Sequence, residues 1–164
     1  MKNEEKGGNS LSLKDCQKIA DDFSFLLKKW SATGVISLTG GDPLLYPDFF
    51  ELFEYLNKTM PKGIRIEILG NPELLDEQTV SRLARLNPYR YQVSVDGLEK
   101  THDGIRHSGS FQSTLNALHL LKKHGIKTTV MFTVSNENIR ELVPVIDLVA
   151  EKQVDFFDFS RFSP

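Results

Sequence analysis

Two glycines, an aspartate and a proline follow a short apolar run near the start of the chain, and these residue types could contact a small ligand. The run is residues 35–38 (VISL), and Gly40, Gly41, Asp42 and Pro43 come after it. Glycine lets backbone amides and carbonyls approach a bound molecule closely. The Asp42 carboxylate could accept hydrogen bonds from an ammonium group or bind a metal ion. The alternative interpretation is a turn in which Asp42 caps the following helix.

Two later apolar runs end in polar residues of a similar kind. Asn71 follows the run 64–69, and Ser94 and Asp96 lie at the end of the run 91–95. Ser94 and Asp96 are two positions apart, so on a strand both side chains would point to the same face. Buried serine and aspartate need hydrogen-bond partners, which a polar ligand would supply. Alternatively, Asp96 caps the next loop and Ser94 bonds to a neighbouring strand.

The next segment, residues 98–107 (LEKTHDGIRH), is predicted to be a long loop that is rich in titratable groups. His102, Asp103 and His107, together with the carboxylates at the ends of the apolar runs, could form a divalent metal site for hydrolysis. Histidine and carboxylate ligands suit such ions. Capping of the loop explains the adjacent His102 and Asp103 equally well.

These segments are positioned by a repeating unit of strand and helix. Apolar, β-branched runs predict strands at residues 35–39, 64–69, 91–95, 128–134 and 155–159. Helical periodicity predicts helices at residues 13–30, 47–58, 76–86, 110–124 and 138–152. Strands that alternate with helices indicate right-handed βαβ units in a parallel sheet, and therefore an α/β fold. In such folds the functional groups collect at the carboxyl ends of the strands.

The composition restricts the class of protein. The chain has 164 residues, a formal net charge of -2 and 26% charged residues, values that are ordinary for a globular protein. The absence of a polybasic run argues against binding to nucleic acid or to a membrane surface. The apolar runs are short and residues 1–10 are polar, so we expect a cytoplasmic protein. We expect a flexible segment at residues 1–12 and one domain at 13–164.

Five sequence blocks, in this order, resemble radical S-adenosylmethionine (radical SAM) enzymes. The closest likeness is to the SPASM-type maturases, which modify peptides and proteins. The blocks are 39–49 (TGGDPLLYPDF), 68–72 (ILGNP), 93–97 (VSVDG), 101–106 (THDGIR) and 110–111 (SF). The resemblance implies a partial (β/α)6 TIM-like barrel that lacks its first strand. It also implies an enzyme that reductively cleaves S-adenosylmethionine to a 5'-deoxyadenosyl radical.

The resemblance also implies roles for individual residues. It places Gly40–Pro43 against the methionyl amino group of the cofactor, and Asn71 near the active site. Ser94 and Arg106 match positions that hold the ribose and the carboxylate, and a guanidinium suits a carboxylate because its fork can bond both oxygens. Asp96 matches a polar position that lines the cavity.

Several positions depart from the family pattern. Asp42 stands where glutamate is usual, Gly70 replaces a usual threonine, and His107 replaces a usual glycine. These departures affect details of the site rather than the fold.

The resemblance also matches residues 134–138 and 159–161 to the regions that flank the ribose and adenine.

The family's cluster-binding loop has no counterpart in the sequence. That loop carries three cysteines (CxxxCxxC) that bind a [4Fe–4S] cluster, whereas this chain has one cysteine, Cys16, on the apolar face of the first predicted helix. The chain is therefore either part of a longer enzyme or a short protein that has lost the chemistry. We favour the first, because the cofactor positions remain. In both cases we expect that the chain as given does not cleave S-adenosylmethionine.

A non-catalytic function is the remaining alternative. A parallel sheet that lacks its first strand has an open edge, which invites strand addition by a peptide or a partner protein. The resemblance of the motifs implies a peptide or protein substrate.

Overall fold

The structure is a computed structural model and describes residues 11–162. The helices are α1 (Leu13–Trp30), α2 (Phe49–Thr59), α3 (Glu77–Leu86), α4 (Glu99–Ile105), α5 (Ser110–Lys123) and α6 (Leu142–Glu151). The strands are β1 (Val35–Leu38), β2 (Arg65–Leu69), β3 (Arg90–Ser94), β4 (Thr128–Val134) and β5 (Phe156–Arg161). The predicted segment 1–12 lies outside the described residues except for its last two.

The five strands form one parallel sheet in the order β1-β2-β3-β4-β5. Each strand pairs with its neighbour in sequence, as in Ile36 opposite Ile66 and Val93 opposite Val130. The order never reverses, which is the winding of a (β/α) barrel rather than of a doubly wound sheet. The α/β fold class and the partial TIM-like barrel are thus confirmed.

The chain divides into two compact units, of which the first is helical and contains α1 and α2. Helix α1 begins with a capping box, in which the Ser12 hydroxyl accepts from the Asp15 N–H and the Asp15 carboxylate accepts from the Ser12 N–H. The two helices are joined by hydrogen bonds: Ser24 Oγ donates to the Thr59 carbonyl at 2.9 Å, and Tyr55 Oη donates to Asp21 at 2.8 Å.

The second unit contains the sheet, β1 to β5, with α3 to α6. Its buried apolar side chains come from alternate positions of the strands, such as Tyr91 and Val93 of β3, and from helices, such as Leu83 of α3 and Leu118 of α5. None of the helices within residues 11–162 combines the length and the apolar character that crossing a bilayer requires.

One local prediction is wrong. The segment predicted to be a long loop after β3 contains the seven-residue helix α4. Strand β2 also carries a buried acidic residue, because Glu67 lies among polar partners. Ser37 Oγ donates to Glu67 Oε1 at 2.6 Å, and Arg90 Nε donates to Glu67 Oε2 at 2.5 Å.

Candidate active site

A cavity of about 570 Å³ lies at the carboxyl ends of the strands in the second unit. Its volume is typical of small-molecule sites. Its walls come from the turn after β1, the turn after β2, the end of β3, and the α4–α5 region. The predicted site residues that line it are Gly41, Asp42, Asn71, Ser94 and Arg106. The three that do not are Gly40, Pro43 and Asp96.

The turn after β1 is fixed by the Asp42 carboxylate. Gly40 has a φ of 105°, a conformation that favours glycine. Asp42 Oδ1 accepts from the Leu44 N–H at 2.7 Å and so caps a short 3-10 turn that begins at Pro43. The other oxygen of Asp42 accepts from the Asn71 N–H. The carboxylate is therefore both a cap, as the alternative interpretation expected, and a link between two walls of the cavity.

The turn after β2 is shaped by a close approach to Tyr91. A Cβ at Gly70 would lie 2.2 Å from Tyr91 Oη, so no side chain fits there while the tyrosine keeps its position. Tyr91 is fully buried, and its hydroxyl has no hydrogen-bond partner within residues 11–162. Burial, with a smaller effect of the negative charge of Asp42, raises the pKa of Tyr91. This phenol therefore stays protonated at any physiological pH.

Asp96 connects several elements instead of lining this cavity. Its Oδ2 accepts from Arg106 Nε at 2.9 Å and from Arg106 Nη2 at 2.7 Å, and its Oδ1 accepts from the Thr133 N–H at 3.0 Å. Its backbone carbonyl accepts from the side-chain amide of Asn138. Ser94 and Asp96 thus do not line a common cavity, because β3 ends at Ser94 and the alternation of side chains stops there.

A second cavity, of about 530 Å³, lies on the other side of this ion pair. Asp96 lines it, together with Thr133 and Asn138, whereas Arg106 lines the first cavity. The predicted region 134–138 contributes to its wall, as does Phe162 next to the predicted region 159–161. The Asp96–Arg106 pair is therefore shared by the walls of two neighbouring cavities.

Helix α4 carries His102 and ends next to Arg106, and its first turn is held by a distant residue. Its own N-cap, Leu98, offers no side-chain hydrogen bond. Instead, Glu141 accepts from the Leu98 N–H and from Thr101 Oγ1, each at 2.6 Å. An acidic group at a helix N-terminus is favourable because it satisfies free N–H groups and faces the positive end of the helix dipole.

The metal site considered as an alternative is not formed within residues 11–162. His102 Nδ1 accepts from the Asp96 backbone N–H at 3.0 Å. Asp103 accepts from the backbone N–H groups of Gly109 and Phe111 at the start of α5. His107 contacts Glu73 at 3.0 Å. Among residues 11–162 no three His, Cys, Asp or Glu side chains are grouped so that they could hold a metal ion.

The sequence reasoning missed several polar residues of the site. Gln92 precedes Ser94 by two positions on the same face of β3 and lines the first cavity. His102 also lines it, although the sequence was interpreted there as a metal ligand or a capping residue of a loop. The polar alternation of Arg90, Gln92 and Ser94 along β3 was the signal that could have identified this face.

Comparison with known proteins supports the family resemblance. The sequence profile of the Radical SAM superfamily matches residues 3–149. The Fe-coproporphyrin III synthase of Methanosarcina barkeri (strain Fusaro / DSM 804) is 30% identical over 147 residues, which are 89% of this chain and 35% of that protein. The sporulation killing factor maturation protein SkfB of Bacillus subtilis (strain 168) is 27% identical, over 80% of this chain and 32% of that protein.

A solved structure has the same fold. It is the native anSMEcpe with bound AdoMet and the Kp18Cys peptide, with a TM-score of 0.73 and 22% identity over 89% of this chain and 41% of that one. The chain thus spans between about a third and two fifths of the length of these relatives. Since the superfamily profile covers most of the sequence, the chain belongs to the Radical SAM superfamily.

Proposed function

We propose that the chain binds S-adenosylmethionine in the first cavity and forms part of a radical SAM core that modifies a peptide or protein. The observation that carries this proposal is the charge distribution of the cavity, which has the Asp42 carboxylate in one wall and the Arg106 guanidinium in another. S-adenosylmethionine has an ammonium group and a carboxylate on its methionyl end. The ammonium suits Asp42, and the carboxylate suits Arg106.

The groups that line the cavity keep bonding capacity for such a ligand. The Asp42 carboxylate accepts hydrogen bonds from two backbone N–H groups. Because a carboxylate offers about four acceptor sites, it can also accept from a ligand. Arg106 gives Nε and Nη2 to Asp96, which leaves Nη1 for another acceptor. The Ser94 hydroxyl suits a ribose hydroxyl. In this proposal Asp96 and Asn71 hold the walls in position, and Gly40 and Pro43 shape the turn that presents Asp42.

When bound and reductively cleaved, S-adenosylmethionine supplies a 5'-deoxyadenosyl radical. The [4Fe–4S] cluster that the family uses for this cleavage does not fit the residues of this chain. Iron–sulfur clusters are held by several cysteine thiolates, and the one cysteine here, Cys16, is part of helix α1. We therefore propose that this chain alone does not cleave the cofactor, and that residues 13–164 act as a partial core domain.

The proposed substrate is a peptide or protein. SkfB is named as a maturation protein, and the structure of anSMEcpe contains a peptide, whereas the relative from Methanosarcina barkeri is named for a porphyrin.

The charged and polar composition of the sequence, with its short apolar runs, supports a cytoplasmic location.

Binding of S-adenosylmethionine to the 164-residue chain, measured by isothermal titration calorimetry, tests the proposal. We expect saturable binding of one equivalent, weakened about tenfold or more by Asp42→Asn or by Arg106→Gln, since each removes a charge-assisted contact. Arg65→Gln is the matched control, because Arg65 is an arginine of the same unit that does not line the cavity. Absence of binding by the unmodified chain would refute the proposal.

Iron content tests the statement about the cluster. After anaerobic reconstitution with iron and sulfide, we expect less than stoichiometric iron and no redox-active cluster spectrum. The variant Cys16→Ser should give the same result as the unmodified chain. A stoichiometric cluster that accepts an electron would contradict the proposal that this chain lacks the ligands.

A non-catalytic peptide-binding function is the second candidate, and the edge of the sheet supports it. Strand β1 stands first in the strand order and pairs with β2 alone among the described strands. An extended peptide could add to such an edge. Protection of the backbone amides of residues 35–38 from hydrogen exchange by a peptide, in a chain that binds no S-adenosylmethionine, would favour this function.

A further inference from the structure

The imidazole of His102 has one possible arrangement of its proton. The ring is fully buried, and Nδ1 accepts a hydrogen bond from the Asp96 backbone N–H at 3.0 Å. A backbone N–H can only donate, so Nδ1 must carry a lone pair. In a neutral imidazole one nitrogen is the donor and the other the acceptor, and the proton of His102 is therefore on Nε2.

The ring is neutral in the physiological range. Burial, and then the neighbouring positive charge of Arg106, lower the pKa of His102. Protonation of Nδ1 would also place two donors against each other at the Asp96 N–H. The Nε2–H group is consequently a fixed donor that does not exchange its role for that of an acceptor.

This donor has no partner within residues 11–162. Buried polar groups in folded proteins are hydrogen-bonded in the great majority of cases. His102 lines the first cavity, so a ligand there is the natural source of the missing acceptor.

We propose that His102 Nε2–H donates a hydrogen bond to the carboxylate of the ligand in the first cavity, next to the Arg106 guanidinium. This inference rests on the proposed function and adds a neutral, fixed-tautomer donor to the residues that recognise the methionyl end of S-adenosylmethionine. A carboxylate is the favoured acceptor because Arg106 follows His102 by one helical turn and brings a positive charge to the same wall. Asp96 orients both side chains, His102 through its backbone N–H and Arg106 through its carboxylate.

Two substitutions separate the donor from the structural contact. In His102→Asn the side-chain oxygen takes the place of Nδ1 and still accepts from the Asp96 N–H, but the Nε2 donor is lost. In His102→Gln the side-chain amide nitrogen takes the place of Nε2 and keeps the donor. Both variants are compared with the unmodified 164-residue chain by circular dichroism and thermal unfolding before ligand is added.

The ligands are S-adenosylmethionine, S-adenosylhomocysteine, which has the same carboxylate, and 5'-methylthioadenosine, which has none. Since a hydrogen bond to a charged group corresponds to about tenfold or more in affinity, His102→Asn should weaken binding of the first two by that factor. Binding of 5'-methylthioadenosine should change less than about twofold, by the same principle. His102→Gln should restore most of the loss.

The outcomes distinguish this inference from the proposed function. Equal affinities of His102→Asn and the unmodified chain for S-adenosylmethionine overturn the inference alone. An equal loss for 5'-methylthioadenosine overturns the assignment to the carboxylate. If the unmodified chain binds none of the three ligands, the proposed function fails as well. Nitrogen-15 NMR of the imidazole needs no ligand, and a proton found on Nδ1 would overturn the inference even if both variants fail to fold.

Discussion

The ion pair between Asp96 and Arg106 allows a quantitative prediction for Asp96→Asn. The Asp96 side chain is 6% exposed and accepts two N–H groups of the guanidinium on one oxygen. The asparagine oxygen can keep the bond from the Thr133 N–H, but its amide nitrogen then faces the guanidinium donors. The substitution therefore removes the charge-assisted contacts and leaves the backbone contact.

The expected loss is about 2 kcal/mol of unfolding free energy. Removing one partner of a buried ion pair costs about 3–5 kcal/mol, and the value is reduced here because water can solvate part of Arg106, whose side chain is 40% exposed. For a chain of this length, about 2 kcal/mol corresponds to a Tm lower by about 4–8 °C. Urea unfolding followed by circular dichroism measures the free energy, and thermal unfolding measures the Tm.

Asp158→Asn is the matched control. Asp158 is also an acidic residue of the sheet paired with an arginine, but it is 44% exposed and its contact with Arg90 is 3.4 Å long. Exposed pairs contribute about 0–1 kcal/mol, so this variant should lose less than about 0.5 kcal/mol. A loss below about 0.5 kcal/mol for Asp96→Asn, or equal losses for both variants, would refute the reasoning from burial and geometry.

Three further predictions concern single side chains. Gly70→Ala should destabilise the protein by about 1–3 kcal/mol in urea unfolding, because its Cβ would overlap Tyr91. Gly41→Ala is the control: a Cβ at Gly41 meets nothing within 4 Å, so this variant should have almost the same stability as the unmodified chain. Tyr91→Phe removes a buried hydroxyl that has no partner in the described residues, so the free energy of unfolding should stay the same or rise by up to about 1 kcal/mol, and a clear loss would indicate a partner. Backbone hydrogen bonds from Phe111 and Gly109 lower the pKa of Asp103. The contribution of this carboxylate to the stability of the folded protein is therefore present above the unfolded-state pKa, and it is lost as the pH falls through the lower folded-state pKa. The Tm of Asp103→Asn should therefore depend less on pH below about pH 4 than that of the unmodified chain, and parallel profiles would contradict this.

The regular elements were predictable because their signals are local. Helix α1 spans the same residues in the prediction and in the structure, as does strand β4, and the other strands differ by one or two residues at one end or at both. An apolar face that repeats every three or four residues, or a β-branched run bounded by polar residues, already determines such an element. The meeting of Asp42, Ser94 and Arg106 around one cavity also followed, since parallel strands place their carboxyl ends together.

Helix α4 could not be predicted because its stabilising contacts are distant in sequence. The segment has few apolar residues and therefore no helical periodicity. Its first turn is capped by Glu141, which is about forty residues away, and its Asp103 bonds to the start of α5. The same applies to Glu67, whose burial depends on Ser37 and Arg90 of neighbouring strands. The bond between Arg106 and Asp96, which decides how the guanidinium is presented, is likewise a tertiary contact.

The strand order has a consequence for synthesis. Each of β2 to β5 pairs with the strand that precedes it in the chain, so the partner of every new strand has already left the ribosome when that strand emerges. The sheet can therefore grow from its amino-terminal edge one strand at a time during translation, without waiting for residues near the carboxyl terminus. The separation between paired strands is similar throughout, so the entropic cost of closing each connecting segment changes little from one strand to the next.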